Sequence, residues 1–347
     1  MKILHICTSL NIGGTETMLV DIINEQVKTN TVNLIIINKG INKDVYKKID
    51  NQVCVNCLKR TPGSRNILHF ISFNYLIAKI NPDIIHCHGS EIIKYIFIKR
   101  KAKICITVHD IGYPLGSLKK YNHIFAISKA VQNDLDERLN IKATVIYNGI
   151  HTERVKMKNN YNYDIFKIVC VARLMHQKKG QDILIKAISI LVNKENIKNI
   201  SVDFIGEGKS EKYLKDLVNE LKVGQFVKFI GLKNRDYIYS HLKDYELLVQ
   251  PSIYEGFGLT VIEGMAAKVP VLVSNIQGPM EVIGNGTYGY AFKINDEVDC
   301  ARKIIDVIED YNKNIIQDKC EKAYFYVKEN FDVKKTAANY VSEYKKL

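Results

Sequence analysis

The sequence predicts two doubly wound α/β domains in tandem. Three observations carry this expectation. Short runs rich in Ile and Val alternate with stretches of helical period, as parallel strands buried on both faces do. Several of these runs end in turns that carry glycine. The chain has 347 residues, 46% of them apolar and 25% charged, too many for one ordinary core and suited to two domains of about 150 residues each.

The elements follow in order. Residues 2–8 (KILHICT) read as a strand, 11–14 as a turn, and 15–27 as a helix with Met18, Leu19, Ile22 and Ile23 on one face. Further strands are expected at 32–37, 84–87, 104–108, 124–127 and 144–146. The segment 152–164 is polar and aperiodic and reads as a linker. A second α/β unit then starts with the strand 168–172 and the helix 181–192. Strands at 201–205, 227–230, 247–250 and 271–273 continue it, with helices near 210–221, 260–267, 297–310 and 333–347. The expected division is 1–158, 159–326, and a C-terminal helical segment 327–347.

The formal charge is +13, from 50 basic and 37 acidic residues. Such a balance favours anionic partners: nucleic acid, anionic lipid or phosphorylated small molecules. The plainer reading is a solvated basic surface. No run of about 18 apolar residues occurs, so no membrane-spanning helix is expected. The first fourteen residues are interrupted too soon for a signal peptide. Cys7, Cys87, Cys105 and Cys170 lie in strand-like runs and read as small buried hydrophobes in a reducing cytoplasm. Cys54 and Cys57 form a lone C-x-x-C with no second pair, so zinc is not expected.

Two segments carry the strongest chemical signals. The run 255–263 (EGFGLTVIE) follows a strand and opens a helix. Its glycines allow a tight turn, after which the amides of Gly258, Leu259 and Thr260 can bind a phosphate or diphosphate. Glu263, one turn further, can accept hydrogen bonds from ribose hydroxyls, and Glu255 can touch a sugar. The run 172–180 (ARLMHQKKG) also follows a strand. Arg173 and Lys179 can neutralise a departing diphosphate, where negative charge grows as a glycosidic bond breaks. The plainer alternatives are an exposed loop with a carboxylate offsetting the helix dipole, and a basic surface loop.

Weaker signals stand beside these. Gly13 and Gly14 let backbone approach a ligand, though many strand–helix turns need such a pair. His86-Cys87-His88 and His109-Asp110 fall at strand ends. His109 can bond a sugar hydroxyl, while His86 reads as structural. No zinc-protease spacing occurs, and the one close aspartate pair, Asp134 and Asp136, lies inside a helix, so no obligatory metal is expected. Residues 92–103 (IIKYIFIKRKAK) carry five basic residues and no acid. They fit either an amphipathic stretch on an anionic membrane surface or a packed helix with lysines capping its end.

The ordered set of segments resembles the retaining glycosyltransferases of the GT-B fold, family 4. It comprises the Gly-Gly turn at 13–14, His109-Asp110, Asn148-Gly149-Ile150, Arg173 with Lys179-Gly180, Gly206-Glu207-Gly208, Glu255 with Glu263, and Gly278 to Ile283. The resemblance implies two Rossmann-like domains facing a cleft, with the terminal segment 327–347 crossing back to the first. It implies a nucleoside-diphosphate sugar as donor substrate, UDP-linked in preference to GDP-linked, with no obligatory metal cofactor. By the same resemblance Glu263 binds the ribose, Arg173 and Lys179 the diphosphate, and Gly258 to Thr260 supply amides. Glu255 stabilises the sugar's developing positive charge, His109 touches a sugar hydroxyl, and Gly13-Gly14 closes the phosphate site. The acceptor is expected to be lipid-linked or an oligosaccharide, in cell-surface polysaccharide or lipopolysaccharide assembly at the inner face of the cytoplasmic membrane. Two rival readings are a nucleotide-sugar epimerase of similar shape and a basic nucleic-acid-binding protein. The second is suggested by charge alone, since no nucleic-acid motif is present.

Overall fold

The computed structural model describes every residue except Ile12, Arg65, Lys99, Arg100 and Leu115. The chain divides into two units, Met1–Ile150 with Val333–Leu347, and His151–Asp332. The boundaries expected from sequence were 158/159 and 326/327. Residues 327–330 form the last turn of a helix in the second unit, and the chain changes unit after Asp332.

The first unit runs β1 (Lys2–Cys7), α1 (Gly14–Gln26), β2 (Thr31–Asn38), α2 (Lys43–Tyr46), β3 (Cys54–Arg60), α3 (Ile67–Ile80), β4 (Ile84–Cys87), β5 (Lys103–Val108), β6 (His123–Ala126), α4 (Lys129–Leu139) and β7 (Thr144–Val145). The second runs β8 (Phe166–Val171), α5 (His176–Lys179), α6 (Gln181–Asn193), β9 (Ile200–Ile205), α7 (Glu211–Glu220), β10 (Val227–Gly231), α8 (Arg235–His241), β11 (Leu247–Gln250), α9 (Leu259–Ala266), β12 (Val271–Ser274), α10 (Gln277–Val282), β13 (Tyr290–Phe292), α11 (Glu297–Asn312) and α12 (Ile316–Asn330). The last helix, α13 (Val333–Tyr344), belongs to the first unit.

Both sheets are parallel throughout, in the order β3-β2-β1-β4-β5-β6-β7 and β10-β9-β8-β11-β12-β13. Each order reverses direction once, between β1 and β4 and between β8 and β11. At such a reversal the connections leave to opposite sides and open a crevice beyond the strands' carboxyl ends. The fold therefore nominates the loops after β1, β4, β8 and β11 before any chemistry is considered.

The cores explain the strands. In the second unit Phe166, Ile168, Val202, Phe204, Leu247 and Leu272 pack with Leu184, Ile188 and Ile304 from the helices. Burying each such side chain stabilises the unit by about 1.5–3 kcal/mol. In the first unit α13 is held by two tyrosines that are almost fully buried. Tyr340 Oη lies 3.0 Å from Thr107 Oγ1, and Tyr344 Oη lies 2.5 Å from His86 Nδ1. His86 is thus structural, as its setting in a strand suggested.

Two sequence expectations change here. Segment 152–164 is no free linker: Lys156 and Lys158 donate backbone hydrogen bonds to Tyr239 O and Ala267 O, and Lys158 forms a buried pair with Glu246 at 3.0 Å. The described residues of 92–103 form no amphipathic α-helix. A 3₁₀ turn, Ser90–Tyr95, is followed by chain without helix, and Ile92, Ile93 and Ile96 are buried; Lys99 and Arg100 lie outside the described residues. Cys54 and Cys57 sit three apart on β3, so they point to opposite faces of the sheet.

Candidate functional site

In the second unit the loops after β8 and β11 lie against each other at the reversal point. Ile253 N donates to Lys178 O at 2.9 Å. Gly180, in the left-handed region at φ +62°, makes this approach possible, because a Cβ there would fall 1.9 Å from Pro251 O. The short helix α5 ends on this glycine and presents Lys179 inward. Lys179 Nζ contacts Glu255 Oε2 directly, and Gln250 Nε2 donates to the same oxygen at 2.9 Å. Both charged side chains are mostly buried yet keep some access to solvent.

Gly258 stands immediately before α9 with φ +117°, a backbone conformation that favours glycine. Val261 N and Ile262 N donate to Gly258 O, while the amides of Leu259 and Thr260 precede any acceptor within the helix, and the helix dipole adds partial positive charge there. Gln250 Oε1 is buried without a hydrogen-bond partner, and a Cβ on Gly258 would lie 3.1 Å from it. Glu263, on the next turn of α9, is buried, and Arg235 Nε lies 3.8 Å from its Oε1. Arg173 directly follows Ala172 at the end of β8. The residue is exposed, and its carbonyl accepts from Gln181 Nε2 at 2.9 Å.

The structure thus brings Lys179 and Glu255 into contact and places Arg173 on the same loop as Lys179. Gly258, Leu259, Thr260 and Glu263 line one helix start. Gln250 and Arg235 were missed by sequence reasoning. A polar residue closing the buried strand β11 was the available signal for Gln250; nothing local marked Arg235. The arrangement can hold an anion: the Lys179 ammonium and the start of α9 stand at one strand reversal, with the Glu255 carboxylate beside the lysine and Arg173 on the same loop.

Gly13, Gly14 and His109 belong to the first unit. Gly13 precedes α1 in extended conformation (φ −171°) with the Glu16 carboxylate folded toward it. His109 follows β5, and His88 follows the adjacent β4 at the reversal point. Their ring centroids are 6.0 Å apart. His5 Nε2 lies 2.8 Å from Gln26 Oε1, an acceptor, so His5 carries its proton there. Its Nδ1 then accepts from His88 Nε2 at 3.1 Å. His88 Nδ1 and His109 Nε2 remain as buried ring nitrogens without a partner among the described residues.

His5, His86 and His88 each offer a ligand atom within 4.8 Å of the others. Both nitrogens of His5 and of His86 are already engaged, with Gln26, His88, Tyr344 and Thr107. A cation there would have to displace these hydrogen bonds, so the donor set reads as a hydrogen-bonded network.

Burial pushes all four histidines down, His5 and His109 to about 4 and His86 and His88 well below 6.5. They stay neutral in the folded unit while the unfolded chain takes up protons below about pH 6.5. The unfolded state then binds more protons, so stability falls as pH drops from about 6.5 toward 4. The expected slope approaches 1.4 kcal/mol per pH unit for each histidine, about 1.4 being the value of one proton. Urea unfolding of the first unit should shift to clearly lower midpoints at pH 5 than at pH 7. A level midpoint would contradict the neutral assignment.

Comparison with known proteins gives the family and the fold. The profile described as glycosyl transferases group 1 matches residues 152–323, and that of glycosyltransferase family 4 matches residues 12–154. An uncharacterized glycosyltransferase of Methanocaldococcus jannaschii is 32% identical over 70% of this chain and 74% of its own length. N-acetyl-alpha-D-glucosaminyl L-malate synthase of Bacillus anthracis is 26% identical over 76% and 74%. The chain spans smaller shares, 45%, 39% and 58%, of three other curated relatives. The crystal structure of Anabaena HepE in complex with UDP-glucose superposes with a TM-score of 0.83 at 20% identity, over the whole of both chains.

Proposed function

Because the chain belongs to the group 1 glycosyltransferases of family 4, with the GT-B fold, we propose that it transfers a sugar with retention from a nucleoside-diphosphate sugar. UDP is the preferred nucleotide, with GDP second. The acceptor is lipid-linked or a polysaccharide in cell-surface glycan synthesis, met at the cytoplasmic face of the membrane.

The observation that carries this reading is the Lys179–Glu255 contact at the β8/β11 reversal, beside the start of α9. Lys179 and Arg173 receive the charge that grows on the leaving diphosphate, and the amides of Gly258, Leu259 and Thr260 add to it. With these positive groups in place no divalent cation is required. Glu263 holds the ribose hydroxyls. Glu255, in contact with Lys179, offsets positive charge on the sugar ring in an oxocarbenium-like transition state. His109, neutral and with Nε2 unpartnered, accepts a hydrogen bond from a sugar hydroxyl. Gly13 and Gly14 leave room for the donor phosphates. In the front-side route the acceptor oxygen bonds to the anomeric carbon as the bond to the β-phosphate oxygen breaks. The leaving phosphate takes the acceptor's proton. A solved relative in complex with UDP-glucose supports the choice of UDP.

The test is a thermal-shift panel of nucleoside-diphosphate sugars in chelator-treated buffer. A UDP-sugar at about a hundredfold above its Kd should stabilise the donor unit by about 2.7 kcal/mol. Product analysis with that donor should then give the donor's own anomeric configuration. Inverted product would refute retention. Donor turned over to an epimerised nucleotide sugar without any acceptor would move the chain to the epimerase reading.

A further inference from the structure

The first unit turns one helix inside out. Along α3, Phe73, Asn74 and Ile77 face the protein, while Ile67, Leu68, Ile71 and Tyr75 are 68%, 63%, 58% and 64% exposed. At 100° per residue these four fall within an arc of about 100°, one continuous apolar face. Asn74 Oδ1 accepts from Phe97 N at 2.8 Å and from Ile98 N at 3.2 Å, so the chain after Tyr95 is pinned along the edge of this helix. Phe97, 67% exposed, extends the face. Large apolar side chains gathered on a water-facing surface mark a contact site.

The charge of the segment that carries this face identifies the contact. Residues 59–103 hold nine basic and two acidic residues, so 45 residues carry +7 of the chain's +13. Lys79 on the last turn of α3, Lys101 and Lys103 are exposed, as is Lys94, which is paired with Glu91. Protein–protein interfaces are depleted in lysine, whereas anionic lipid headgroups attract it at each position. An apolar centre with a basic border is the pattern of a helix lying in a bilayer interface. No helix among the described residues is long and apolar enough to cross a membrane, so any membrane contact made by them is at its surface.

We propose that the outward face of α3, with Phe97 and the exposed lysines of the same segment, docks this protein on an anionic lipid bilayer. The inference deepens the membrane-facing part of the proposed function. It relocates the contact from 92–103 alone to a surface that the sequence did not reveal, and it rests on that reading only for its biological purpose.

The experiment is co-sedimentation of the full chain with phosphatidylcholine vesicles, with and without phosphatidylglycerol. Binding should require phosphatidylglycerol and weaken as salt rises. The double variant Leu68→Glu with Ile71→Glu should lower the bound-to-free ratio at least about tenfold, since two apolar anchors are lost and two repelled charges gained. Both sites are exposed, so the variant should keep its melting temperature, and it should keep the donor-induced thermal shift, which reads the other unit. Wild-type protein that stays in the supernatant with both vesicle types would overturn the proposal. So would concentration-dependent self-association that the double variant abolishes, which would make the face an interface between copies. Absence of any donor-induced shift beside normal vesicle binding would sink the donor reading and leave the docking surface standing.

Discussion

Lys179→Ala should lower kcat by about two to three orders of magnitude, the usual cost of removing one preorganised group that meets charge in the transition state. The side chain sits at the end of α5, held there by the tight approach of Gly180 to Pro251 O, and it contacts the Glu255 carboxylate. Two effects combine in the variant. The diphosphate loses a cation as its bond to the sugar breaks. Glu255 loses the cation beside it and keeps only Gln250 Nε2, so a bare carboxylate faces an incoming anion. The loss should fall mainly on kcat, because the charge on the departing phosphate is greatest in the transition state. Lys179→Arg should recover part of the rate. Steady-state kinetics with the donor found by thermal shift decides it: a change in kcat/KM of less than about threefold would remove Lys179 from the diphosphate role.

Lys158→Ala should be the most damaging single change to stability outside the apolar cores, costing about 3–5 kcal/mol. Lys158 and Glu246 retain only 6% and 7% of their side-chain exposure, and their charged atoms lie 3.0 Å apart. Glu246 also accepts from Lys167 N at 2.8 Å, at the start of β8, and its backbone carbonyl accepts from Tyr311 Oη at 2.7 Å. The pair therefore ties the incoming chain, the first strand of the sheet and α11 together. Truncating the lysine leaves a buried carboxylate with one amide for company. The double variant Lys158→Met with Glu246→Leu should recover much of the loss, because an apolar pair of similar volume needs no desolvation of charge. Urea unfolding of the second unit measures both. Equal stability of wild type and Lys158→Ala would mean that water reaches the pair and that it contributes little.

These two lysines illustrate how unevenly the site could be read from sequence. Lys179 was legible because it stands before a glycine at the end of a βα turn, where local chemistry and position agree. Lys158 lay in a polar, aperiodic stretch that read as linker, since its partner Glu246 is 88 residues away. Gln250 and Arg235 were missed for the same reason: what they touch is set by the pairing of strands, which local periodicity does not encode. The strand β3 and the helix α3 were also missed. An edge strand shows only partial alternation, and α3 is apolar on nearly every side, so neither has a clean period.

What the sequence by itself determined was the alternation of strand and helix, the turns that glycine permits, and the charge surplus. These are local quantities, and residues within a few positions of one another decide them. The tertiary structure alone decided the order of the strands, and with it the two reversal points that bring Lys179 to Glu255 and His88 beside His109. It also decided that the apolar run 67–75 shows one face to water. A helix that is apolar all round carries no mark of its outward side until its neighbours take the other one.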